Sequence, residues 1–228
     1  MAYTTIDDPT LYFSSTIWTG NGSDDRNIVI DGTGMQPDFL WIKSRNDTDN
    51  HRLVDSVRGA TKHLESDGNG AEQTSSNVKA FTSTGVTLSN NGSVNANSEL
   101  YVGWSWKESA TAGFDIVTYT GNQTARTISH NLGAVPKMMI VKTRSTTGNW
   151  GVYHVGLGTA NKRLELDGNA AEDTGTSVWN DTDPTSSVFS VGNNDRITNG
   201  NGMTYVAYLF ADVKGYSKFG SYTGNGNA

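Results

Sequence analysis

The chain contains no cysteine, so disulfides and thiolate chemistry are excluded, and its stability must come from burial and assembly. It has no apolar run near the roughly 18 residues that a membrane helix requires. The opening Met1-Ala2-Tyr3-Thr4-Thr5-Ile6-Asp7-Asp8 has neither a basic start nor an apolar stretch, so no signal peptide and no membrane insertion are expected. Excess positive charge is also lacking: 17 Lys and Arg stand against 23 Asp and Glu, a formal charge of -6. A phosphate-binding surface needs clustered cations, so nucleic acid is not an expected partner. Strong amphipathic helices are missing too. The best candidates, Asp55 to Leu64 and Asn169 to Asp173, are short and interrupted or bounded by glycine.

What is present is repetition. Trp18-Thr19-Gly20-Asn21-Gly22 returns as Tyr119-Thr120-Gly121-Asn122 and again as Tyr222-Thr223-Gly224-Asn225-Gly226, a period of about 100 residues. Between these marks, Pro37 to Arg45 lines up with Pro136 to Arg144, and Lys62 to Glu72 with Lys162 to Glu172. Tyr101 to Trp106 lines up with Tyr205 to Phe210. Each copy is long enough to hold its own core, which predicts beads on a string: a first sandwich over 1–110, a second over 111–218, and the start of a third copy, or an exchanged strand, over 219–228. Ser221 to Thr223 is expected to pair with a neighbouring chain or domain, because an unpaired strand leaves its backbone groups exposed.

Phe39 to Ile42 and Met138 to Val141 are continuous apolar runs begun near a proline, the pattern of central strands. At Tyr101 to Trp106 the side chains alternate, which assigns Val102, Trp104 and Trp106 to a core face, and Val206, Tyr208 and Phe210 to its counterpart. Phe114 to Thr120 and Thr127 to His130 add strands. Short strands joined by Gly/Asn turns predict an all-β fold of two tandem antiparallel β-sandwiches, with immunoglobulin, jelly-roll and lectin-like topologies all open.

Candidate chemistry is sparse. Lys43 and Arg45, with Lys142 and Arg144, end strands in both copies, where they either cover apolar surface or meet an acidic glycan or a neighbouring subunit; either role places them outside the core. Asp67-Gly68-Asn69 with Glu72, echoed by Asp167-Gly168-Asn169 with Glu172, offers oxygen ligands but lacks a full calcium series, and an Asp-Gly turn explains the same residues. Among six tryptophans, Trp18, Trp41, Trp104 and Trp106 read as packing residues because they have aromatic or aliphatic equivalents. Trp150, which corresponds to His51, and Trp179 are the better candidates for stacking on a sugar. The histidines have no metal-ligand spacing, and no nucleophile elbow, phosphate loop or dinucleotide fingerprint occurs, so neither an enzyme, a metal site nor a cofactor is expected.

Trp41-Ile42-Lys43-Ser44-Arg45, Asp55-Ser56-Val57-Arg58-Gly59-Ala60, Ile128 to Lys137 and Gly215 to Gly226 together resemble a repeat family of tail-fibre and adhesin-like virion proteins of marine tailed bacteriophages. The resemblance spans nearly the whole chain. It implies a structural protein of the virion, in a tail fibre or outward-facing appendage that contributes to host attachment. It also implies self-association, a trimer above all, with other virion proteins and host surface polysaccharide as further partners. In the longer relatives the chain continues past the third Gly-Asn mark. The competing readings are a lectin-like adhesin, a capsid decoration protein and an envelope depolymerase.

Overall fold

The structure, a computed structural model, describes residues 4–32, 34–194 and 196–226. In the first half the strands are β1 (Phe13–Thr19), β2 (Arg26–Val29), β3 (Phe39–Ser44), β4 (Arg52–Asp55), β5 (Lys62–Leu64), β6 (Gln73–Thr74), β7 (Val78–Thr82), β8 (Gly85–Leu88) and β9 (Leu100–Trp106). In the second they are β10 (Phe114–Thr120), β11 (Arg126–Ser129), β12 (Met138–Thr143), β13 (Gly151–His154), β14 (Lys162–Glu165), β15 (Asp173–Thr174), β16 (Val188–Val191) and β17 (Thr204–Phe210). The α-helices are single turns, α1 (Gly92–Asn95) and α2 (Thr176–Trp179). After Asp55 ends β4 the chain turns into β5, and Asn169 to Glu172 is loop before Asp173 opens β15, so neither stretch forms the helix that its sequence allowed.

Both halves have the same strand order. One six-stranded sheet runs β1-β9-β3-β4-β5-β6, the other β10-β17-β12-β13-β14-β15, and smaller sheets β2-β8-β7 and β11-β16 cover one face of each. The strand pairs are antiparallel, and the fold is an all-β sandwich. Phe39 to Ile42 and Met138 to Val141 lie in interior strands, as their unbroken apolar runs require.

The recurrent Gly-Asn mark is a clasp. Gly20 N donates to Glu99 O (2.7 Å) and Gly121 N to Met203 O (2.8 Å). A Cβ on Gly20 would lie 1.8 Å from Ala96 O, and one on Gly121 2.2 Å from Gly200 O, so only glycine lets the two backbones approach. The next residue completes the lock: Asn21 N and Asn122 N donate to the buried side-chain oxygens of Asn95 (3.1 Å) and Asn199 (3.0 Å). Beside each clasp an aromatic pair stacks, Trp18 on Tyr101 at 5.6 Å and Tyr119 on Tyr205 at 5.1 Å. In the third mark Gly224 N makes no backbone hydrogen bond among the described residues. Ser221 to Thr223 lies in no strand and has no backbone hydrogen bond among the described residues, and Tyr222 is 94% exposed, so the expected pairing with a neighbouring domain is not made within this chain.

Three cores result. The first half packs Trp18, Leu40, Ile42, Val54 and Tyr101 against Ile28, Val78, Val86 and Leu88 of its small sheet. The second packs Met139, Val141, Tyr205, Ala207 and Leu209 against Ile128, Phe189 and Val191. The third lies between the halves, where the large sheets meet: Phe39, Leu53 and Leu64 join Phe114, Ile116, Ile140, Trp150, Val152, Val206, Tyr208 and Phe210. The halves are therefore not beads on a string; they are sandwiches fused through the outer faces of their large sheets. Across the junction Phe39 stacks on Tyr208 at 4.4 Å and meets Phe114 at 6.0 Å, and Trp106 meets Phe210 edge-on at 6.4 Å.

This arrangement corrects the face assignment in β9 in part. Tyr101, Gly103 and Ser105 point into the first half's own core, whereas Val102, Trp104 and Trp106 are half-buried on the opposite face, where Trp106 packs against the core between the halves. Gly103 permits the inward packing, because a Cβ there would sit 3.0 Å from Trp18 and 3.2 Å from Leu40. In β17 both faces are buried, with Val206, Tyr208 and Phe210 in the core between the halves.

A shared core predicts shared unfolding. Phe39→Ala should destabilise the protein by about 3–5 kcal/mol. Urea denaturation followed by circular dichroism and tryptophan fluorescence should show one coincident transition, before and after the substitution; two separated transitions would show independently stable halves.

Candidate functional site

The junction between the halves is closed by a buried polar cluster. Arg58, in the turn after β4, binds the fully buried Asp55 through Nε and donates from its backbone N to Asp55 Oδ1 (2.7 Å). Its Nη1 donates to Glu72 Oε2 (3.0 Å), and its Nη2 to Leu53 O and Tyr208 Oη (3.0 Å each). Tyr208 Oη in turn donates to Asp55 Oδ2 at 2.7 Å. Burial pushes the Tyr208 hydroxyl well above its ordinary pKa, so it stays a donor. Burial opposes the charge on Arg58, but Tyr208, Asp55 and Glu72 outweigh it and hold its pKa above the usual value.

From this cluster the β5–β6 loop of the first half reaches onto the second. Glu72 accepts from Arg144 Nε (2.9 Å) and Nη2 (3.0 Å), a two-pronged carboxylate–guanidinium contact. The carbonyls of Glu65 and Gly68 accept from Trp150 Nε1 at 3.0 Å each. Asn69 O accepts from Gly148 N (2.9 Å) and Lys142 Nζ (3.3 Å), and Lys142 Nζ lies 5.9 Å from the Trp150 ring. Burial lowers the Lys142 pKa to about 8 despite the opposing charge of Asp167.

These contacts relocate most of the sequence-predicted residues. Trp150 is fully buried in the core between the halves and Trp179 lies in the second half's core, edge-on to Tyr153 at 6.2 Å, so neither ring is open to a sugar. Lys142 is likewise inside rather than outside the core, and Arg144 is engaged by Glu72. Lys43 is half-buried, with Nζ donating to Ser44 O (2.8 Å) and Asp47 O (2.9 Å); Arg45 is exposed. The Asp-Gly turns close loops: Asp67 Oδ1 accepts from His51 N (3.1 Å), and Asp167 Oδ1 from Trp150 N (2.9 Å). Among the described residues no His/Cys/Asp/Glu group is placed to hold a metal ion.

The open surface is formed by rings that the sequence assigned to packing. Trp41, His51, Trp104 and Trp106 line a groove of about 370 Å³ on the outer face of the first large sheet. Trp41 meets Trp104 edge-on (6.4 Å, 83°) and His51 likewise (5.8 Å, 74°), and Trp41 Nε1 donates to His51 Nδ1 at 2.7 Å. Burial and then Lys43 lower the His51 pKa against the pull of Asp67, which favours the neutral ring that this bond requires. The apolar face continues through half-buried Val102 to Ile17, which is 63% exposed. Chemically the groove offers ring surface.

A carboxylate cluster that the sequence did not flag sits where the halves join. Glu108 N donates to Asp38 Oδ2 (2.9 Å), while buried Asp115 accepts from Asn131 N (2.6 Å) and Ile116 N (3.1 Å). Burial, then the hydrogen bond to Asp115, then the charges of Asp115 and Asp38 raise the Glu108 pKa to about 7. A raised carboxyl can retain a proton that bridges it to its neighbour.

Fold and groove together define an all-β double-sandwich protein with an open aromatic face. The chain belongs to the family described as a domain of unknown function (DUF7483), whose match spans residues 8–228 and so takes in both halves. No curated protein matches it. A solved chain described as the crystal structure of the STIV MCP aligns with 90% of this chain and 86% of its own, at 8% identity and a TM-score of 0.27, too low a score to carry an argument.

Folding favours protonated Glu108, so its stabilising contribution is full below its ordinary value of 4.5 and is lost as pH rises through about 7. Glu108→Gln should flatten the fall in melting temperature across that window; an unchanged slope would remove Glu108 as its source. Trp150→Ala should destabilise by about 3–5 kcal/mol, as large-to-small changes in a packed core do, whereas Trp104→Ala should cost far less. Chemical denaturation of both variants checks this contrast.

Proposed function

We propose that the protein is a non-enzymatic structural component of a bacteriophage particle, a rigid segment of a tail fibre or outward-facing appendage. The observation that carries this reading is the fusion of two sandwiches through one aromatic core and the Arg58 cluster, which makes two repeats a single stiff body rather than a flexible pair. A spacer that holds a tip away from a particle needs that stiffness. The motifs from Trp41 to Arg45, Asp55 to Ala60 and Ile128 to Lys137, which resemble those of tail-fibre and adhesin-like proteins, support the same reading.

Immunogold labelling of intact purified particles, read by electron microscopy, tests it. Label should run along or at the end of the tail appendages. Label spread over the head would replace the reading with a decoration protein, and particles free of label would overturn the virion assignment.

A further inference from the structure

We infer that a second copy of this chain occupies the aromatic groove, in a head-to-tail contact that places the β14–β15 hairpin of one copy on the Trp41–His51–Trp104 platform of the next. This goes beyond the appendage reading and does not depend on it.

The argument is one of equivalent positions. Phe39 pairs with Asp55 as Met138 pairs with His154, and Trp41 pairs with Trp104 as Ile140 pairs with Tyr208. His51 therefore corresponds to Trp150, Lys43 to Lys142, Arg45 to Arg144 and Trp104 to Tyr208. In the second half these positions are covered by the first half and its loop of residues 65–72. There Trp150 and Lys142 are fully buried and Tyr208 is 1% exposed. In the first half Lys43, His51 and Trp104 are only half-buried and Arg45 is exposed.

The covering element shows the converse. Leu64 is 1% exposed in the core between the halves, whereas its equivalent Leu164 is 36% exposed and Leu166 37%. Each chain thus has one donor–acceptor pair already joined, one free acceptor on its first half and one free donor on its second. A free donor on one copy that engages the free acceptor of the next makes a heterologous contact.

The chemistry agrees. Glu172 matches Glu72 and would meet Arg45, whose guanidinium has no ion-pair partner among the described residues. Its present contact with Lys162 (2.7 Å) is partly exposed, so exchanging it for Arg45 costs little. The groove presents indole faces, with Trp41 Nε1 already bonded to His51, which suits a leucine-bearing loop better than a sugar that needs partners for its hydroxyls. Val152 already lies in the core between the halves, so only the hairpin remains available and the new contact is smaller than the one within the chain.

The absence of cysteine permits a direct test on the purified full chain. Gly168→Cys and Asn50→Cys, treated with a short bis-maleimide, should give a cross-linked dimer only when mixed; both positions can accept the change, with no atom near a Cβ at Gly168 closer than 3.7 Å and Asn50 exposed. Sedimentation equilibrium should show association weakened about tenfold or more by Leu164→Asp and by Trp104→Ala, with circular dichroism unchanged. Cross-linking of Asn50→Cys to itself would replace the proposal with a symmetric contact of two grooves. A protein monomeric at every concentration, or a groove saturated by a glycan without self-association, would overturn it. Particle labelling is read independently, so either idea can fail alone.

Discussion

The structure depends on the burial of two sheet faces against each other around one ion-paired arginine. A six-stranded sheet covered on one side by a two- or three-stranded sheet still has an apolar outer face, and each half of this chain buries that face on the other. The aromatic pairs supply the attraction. Arg58 supplies the register, because a buried guanidinium must find all its acceptors at once, and here they come from Asp55, Leu53, Glu72 and, across the junction, Tyr208. Such a cluster need not add much net stability over an apolar equivalent, but a misaligned junction would leave a buried charge unpaired. The geometry of the junction is therefore more tightly specified than its stability.

Much of the fold was legible in the sequence, and the physical reasons are particular. The Gly-Asn marks could be read because a close backbone approach tolerates only glycine, and because the side chains of Asn21 and Asn122 each accept from the amide two residues on (3.0 Å); both constraints recur. The interior strands could be read because continuous apolar runs have few other uses. What alternation alone could not give was which face of β9 looks inward. By size and polarity Tyr101, Gly103 and Ser105 make a poorer core face than Val102, Trp104 and Trp106, but Gly103 admits Trp18 and Leu40. The outer face carries the larger rings because it has a junction to fill and a groove to line.

The same lack of non-local information inverted the tryptophans. Trp150 and Trp179 looked available because they had no aromatic counterpart, yet lacking a counterpart meant filling a space present in one half only. For Trp150 that space lies beneath a loop 80-odd positions earlier in the chain, where its indole N–H meets two carbonyls. Trp41 and Trp104 looked structural because they had counterparts. Equivalence of position did carry over, but equivalence of burial did not, because the first half's loop of residues 65–72 covers Trp150 and Lys142 while no such loop covers His51 and Lys43.

The paired lysines show how closely the open face copies the closed one. Lys142 Nζ curls back to Thr143 O at 2.8 Å and takes its second acceptor, Asn69 O, from the other half. Lys43 Nζ curls back to Ser44 O at the same 2.8 Å, and its second acceptor is Asp47 O from its own loop. The side chain follows the same path in both, and only the source of the second carbonyl differs. In the covered half, a partner segment supplies what a local loop supplies in the open half. An ammonium held in this way needs only to exchange one carbonyl for another to accept a partner, without a change of rotamer or loss of a hydrogen bond. The open face is thus preorganised for the kind of contact its counterpart already makes.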